Sequence, residues 1–101
     1  MNNQIKICGH YYDIKFVDGL TDASGDRHVW GRIHPGRQII EIELDSTISK
    51  KQESLIHEIL HAIESSVDLG LKEIEICVLA NALFQIGLGD ILTEKLDIPE
   101  L

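Results

Sequence analysis

At 101 residues, with hydrophobic residues at 44% and charged residues at 26%, the chain has the size and composition of one globular domain, and no repeat or low-complexity tract argues for a solenoid or for disorder. Nine Lys and Arg against seventeen Asp and Glu leave a formal charge of −8, and the basic residues are scattered, so a phosphate backbone would be repelled and direct nucleic-acid binding is excluded. No apolar run approaches the roughly 18 residues of a membrane span, and residues 1–9 lack the apolar core of a signal peptide, which together predict a cytoplasmic protein with no membrane partner.

Residues 4–8 (Ile5, Ile7) and 12–17 (Tyr12, Ile14, Phe16) alternate apolar with polar and read as strands, with Gly9-His10 as the hairpin signal between them. Cys8 and Cys77 lie far apart and form no metal-type pair, so both are expected as buried thiols without a disulfide. Residues 18–27 carry two glycines, three aspartates, a serine and a threonine, which is loop chemistry. Residues 29–33 and 38–44 read as two more strands joined by His34-Pro35-Gly36-Arg37, a tight turn in which Pro presets the first φ and Gly takes the positive second one.

Ser49 with Gln52 forms a capping box that opens a helix running to Val67, with Gly70 as its stop and the Lys50-Lys51 pair solvated in its first turn. A second helix is expected over 72–86, ending near Gly87 and Gly89, and residues 90–101 add a short third helix before Pro99. Strands followed by helices predict one α+β domain over residues 1–101, with a small, mainly antiparallel sheet packed against helices on one face.

The sharpest chemical signal is His57-Glu58-Ile59-Leu60-His61. On a helix, positions i and i+4 share a face one turn apart, so both imidazoles can reach one metal ion. Glu58 sits beside the first ligand, where its carboxylate can take a proton from a water polarised by zinc and deliver it to a leaving group. Every other residue from Leu55 to Ile63 is apolar, so three polar groups enter a largely buried helix, where leaving them unpaired costs several kcal/mol. A shared metal satisfies two of them at once.

A catalytic zinc needs a third protein ligand and one open position. Glu64, Asp68, Glu73 and Glu75 follow the motif, and Glu64 is two turns from His57 and out of easy reach. Glu73 lines up with Ile76, Cys77, Ala80 and Phe84, an inward row in which Ala80 lets two helices approach closely. Glu75 has a comparable row in Val78, Leu79, Ala82 and Ile86, so periodicity leaves both glutamates open. His10 and His34 in predicted turns, and His28 at a strand start, read as surface or supporting residues rather than ligands. Trp30, Tyr11, Tyr12 and Phe84 read as core or pocket wall, with Tyr11 or Tyr12 a candidate for stabilising an oxyanion.

The segment 47–83, with Leu55 to Ile63 around the H-E-x-x-H and then Glu73-x-x-Ile76-x-x-Leu79-Ala80, resembles the small ImmA/IrrE-like metallopeptidases of phages and mobile elements, and the minimal gluzincins of about this size. The strands leading to Gln38-Ile39-Ile40-Glu41-Ile42 resemble the same family more loosely. The resemblance implies a zincin-like domain holding Zn2+ through His57, His61 and Glu73, with Glu58 catalytic, that cleaves a peptide or protein substrate such as a transcriptional repressor. Ile76 and Leu79 stand where the family usually has Ala and Phe, which keeps Glu75 in contention. It also implies that an extended peptide adds to a free sheet edge beside the metal, for which residues 38–44 are the natural strand. Glu41 and Glu43 there would favour basic targets, and if that strand is paired on both sides, residues 29–33 are the remaining edge. A second class of function is a metal-stabilised binding or antirepressor-like module, whose output is docking rather than cleavage.

Overall fold

The computed structural model describes residues 3–100, and what the sequence predicts for Met1, Asn2 and Leu101 lies outside the described residues. Four strands, β1 (Gln4–Ile7), β2 (His10–Val17), β3 (Gly31–His34) and β4 (Ile39–Glu43), precede three helices, α1 (Ile48–Val67), α2 (Glu73–Gln85) and α3 (Leu88–Lys95). The architecture is α+β.

β1 and β2 pair antiparallel with Ile7 opposite His10, so the hairpin loop is Cys8-Gly9. Both loop residues have positive φ, 49° and 85°, the turn geometry whose twist matches that of the flanking strands. This exposes Cys8, against the expectation of a buried thiol, and both cysteines are free.

The chain then crosses through residues 18–30, held by a bridge between Thr21 and His28, and returns as the β3–β4 hairpin. β4 inserts beside β2 in parallel, Ile14 opposite Ile40, so the sheet order is β1-β2-β4-β3. The sheet is mixed and mainly antiparallel: its outer pairings are antiparallel and its central one is parallel. In the 34–37 turn the positive φ falls on Gln38 (56°) and not on Gly36, because two overlapping turns, Arg37 N–H to His34 O and Gln38 N–H to Pro35 O, carry the chain around.

α1 begins earlier than its Ser49 signal. Thr47 is the cap, its hydroxyl accepting the Lys50 N–H at 3.2 Å, and Ser49 lies exposed within the first turn. Lys51 is fully buried rather than solvated, its ammonium donating to the Ser46 carbonyl and tying the β4–α1 connection to the helix. The helix ends at Asp68, in the left-handed region with φ 53°, two residues before the predicted Gly70.

α1 lies across the sheet with Leu55, Ile56 and Ala62 wholly buried against Ile40 and Ile42 of β4 and against α2 and α3. α2 packs on α1 through Ile76 and Ala80, and α3 turns 76° away from α2 after Gly87. It begins at Leu88, just ahead of the tail expected to form it. Among the described residues no single helix is long and apolar enough to cross a membrane.

Candidate metal centre

One turn of α1 separates His57 from His61, and their Nε2 atoms stand 3.2 Å apart. Glu73, the first residue of α2, completes the cluster: its Oε2 is 3.0 Å from His57 Nε2 and its Oε1 2.9 Å from His61 Nε2. One ligand atom from each of the three lies within 4.8 Å of the others. Two ligands about 2.1 Å from a tetrahedral ion stand about 3.4 Å apart, so these three residues could hold a metal ion. Burial lowers the basicity of His57 below the ordinary imidazole value, opposed by the Glu73 charge, which favours the neutral ring a metal needs.

The other acidic residues after the motif lie outside the cluster. Glu75 Oε1 accepts the Lys72 N–H at 2.7 Å and caps α2. Its row points outward, with Val78 and Ile86 exposed, whereas Ile76 and Ala80 of the Glu73 row are buried. Glu64 accepts the Gly70 N–H at 3.3 Å, and Asp68 is the C-cap of α1. Of the two open glutamates, Glu73 is the one the fold brings to the histidines.

Glu58 lies against β3, in the same hollow as His57, His61 and Glu73 but outside the three-donor group. A Cβ placed on Gly31 would lie 3.0 Å from both Cγ and Oε2 of Glu58, so the carboxylate rests against bare strand backbone. Burial, and then the charge of Glu73, push the Glu58 carboxyl up to about 7. The sequence reading missed Gly31, although a glycine inside a strand pattern is a signal of close backbone approach.

Two hollows, of about 380 and 410 Å³, meet at Gly31, His57 and Glu58 and form a cleft along β3. One end is walled by Trp30, Lys50, Ala80 and Cys77, the other by Asp22, Arg32, His34 and Glu73. Lys50 lies 5.3 Å above the Trp30 ring and 3.2 Å from Glu53. Cys77 is half-buried in this wall rather than deep in the core, its Sγ 3.8 Å from Glu73 Oε2. His34 ends β3 instead of lying in the turn, with Nε2 2.8 Å from Glu41 and 3.1 Å from Arg32 Nη2. His28 lies tilted against Trp30, ring centroids 4.7 Å apart, and sits 3.3 Å from Glu43, while His10 opens β2 exposed. Tyr11 is exposed, Tyr12 is core, and neither lines the cleft.

β4 cannot serve as the edge beside the cluster, because β2 and β3 flank it on both sides. Its Glu43 is buried and receives N–H groups from Gly19, Leu20 and Asp45, and its Glu41 is paired with Arg32 and His34. β3 is the edge strand on this side of the sheet. No protein-family model, curated protein or solved structure matches this chain.

Proposed function

We propose that this chain is a zinc-dependent metallopeptidase, with His57, His61 and Glu73 as metal ligands and Glu58 as the catalytic acid–base. The observation that carries the reading is the convergence of three donor residues, in contact with one another at 2.9–3.2 Å, with a further buried carboxylate beside the cluster but outside it. A structural zinc would be closed by a fourth side chain and has no need of that carboxylate. Bound zinc would polarise the scissile carbonyl and acidify the attacking water. Glu58, whose carboxyl is poised near neutrality, accepts the water's proton and returns it to the leaving nitrogen. The backbone of β3 offers hydrogen bonds to an extended peptide, so substrates are held largely without regard to sequence.

The zincin-like assignment, the kinship with ImmA/IrrE-like enzymes and a repressor-type protein as substrate rest on the resemblance of residues 47–83. The preference for basic targets argued from Glu41 and Glu43 falls away, since one is buried and the other paired.

Metal analysis of the protein purified gently and resupplied with zinc tests the reading. About one zinc per chain is expected, weakened strongly by Glu73→Gln and little by Glu75→Gln. Absence of metal overturns the proposal, and one zinc per chain with no hydrolysis of any peptide in a broad library leaves a metal-stabilised binding module instead.

A further inference from the structure

From Ile76 to Gly89 the sequence holds no charged residue, in a chain where such residues make up 26%. α2 is consequently apolar on both sides, and a helix of that kind is normally covered on both. Its inner row is covered by α1. Its outer row, Ile74, Val78 and Ala82, continued by the C-cap Ile86, is exposed, with Ile74 at 67% and Ile86 at 80%. With Leu79 and Ile91, these side chains leave on the order of 500 Å² of apolar surface open, at the upper end of what monomers tolerate.

We infer that this face is a homodimer interface, in which α2 crosses α2 of a second copy antiparallel about a two-fold axis between Val78 and Ala82. The spacing of four residues is symmetric about that point. An antiparallel crossing sets Ile74 against Ile86 of the partner subunit and Val78 against Ala82 of the partner subunit, so the small Ala82 receives the larger Val78 and both ends are closed by isoleucine. This is the self-complementarity a two-fold interface requires.

Charge selects the same face and the same direction. At −8 per chain two copies repel over most of their surface, and the uncharged stripe is where they can meet without burying like charges. Antiparallel packing also keeps Glu75 away from Glu75 of the partner subunit and brings it near the neutral Gln85 end. Exposed Gln85, and Asn81 where the stripe meets the cleft, form a polar rim that extends the stripe toward the roughly 800 Å² per partner of a standard interface. The inference does not depend on the catalytic reading, since Glu73 lies on the inner row.

Sedimentation equilibrium of the full chain at micromolar concentration reads the outcome directly. A species of twice the 11.3 kDa chain mass is expected, and a melting temperature that rises with protein concentration. Ile86→Glu, and separately Ala82→Glu, should weaken self-association by about 100-fold or more while helical circular dichroism is retained, because each places two carboxylates at one apolar interface. Two variants guard against a fold defect peculiar to either. A wild-type chain that stays at monomer mass at about 100 μM overturns the inference, as does a dimer that survives both substitutions with its fold intact.

Discussion

Glu43 at the end of β4 and Glu58 in α1 are almost equally buried, 2% and 7% exposed, yet their carboxyls are shifted in opposite directions. Burial alone would push Glu43 up. Three backbone N–H groups, from Asp45, Leu20 and Gly19, together with His28, outweigh that and hold it below the usual carboxylate value. No donor among the described residues offsets the burial of Glu58, and Glu73 adds a like charge, so its carboxyl is raised to about 7. Depth does not decide what a buried acid does; the donors around it do. Glu43 fastens the loop after β2 to the end of β4, and Glu58 is left with its carboxyl raised to about 7.

Replacing each side chain in turn should separate these roles. Glu58→Gln is expected to retain zinc and fold and to lose about 10²–10⁴-fold in peptidase activity, read as kcat/KM, since it removes a proton carrier and no ligand. Activity within tenfold of wild type would take Glu58 out of the mechanism. Glu43→Ala is expected to lower unfolding free energy by about 3 kcal/mol in a denaturant titration, because it strands the Gly19 and Leu20 N–H groups that Glu43 satisfies, while zinc stoichiometry is unchanged.

The pH dependence of stability should differ in the same sense. In metal-free protein Glu58 keeps its proton to about 7 when folded, against an ordinary value of 4.5, so between these limits the unfolded state binds fewer protons and stability falls as pH rises. Subtracting the Glu58→Gln profile from wild type should isolate this loss, about 2–3 kcal/mol across the window and level above it. A flat difference would show that the carboxylate finds donors in solution.

The smallest effect is expected from Gly31→Ala, whose methyl group meets the Glu58 carboxylate. A loss of about 1–2 kcal/mol in stability should vanish when the same change is made in Glu58→Ala, as a double-mutant cycle detects. Equal losses in both backgrounds would show that the glycine serves the strand alone.

Some of this was legible because it is local. His57, Glu58 and His61 lie within one turn or so of helix, and alternation marked all four strands to within a few residues at each end. Thr47 displaced Ser49 as the cap because both are acceptable capping residues and the path of the chain from β4 chose between them. Lys51 read as solvated because nothing nearby in sequence announces that Ser46 will accept its ammonium.

By itself the sequence determined the paired histidines with their neighbouring acid, the order of strands before helices, and the unusual apolarity of α2. Only the tertiary structure decided that Glu73 rather than Glu75 meets the histidines, that β3 rather than β4 lies at the edge, and that Gly31 supports Glu58. The division has one physical cause. Spacing along a chain settles which residues share a face of their own helix or strand. Which face then turns inward depends on contacts between residues far apart in sequence, and these acquire their free energy only once the elements are packed together.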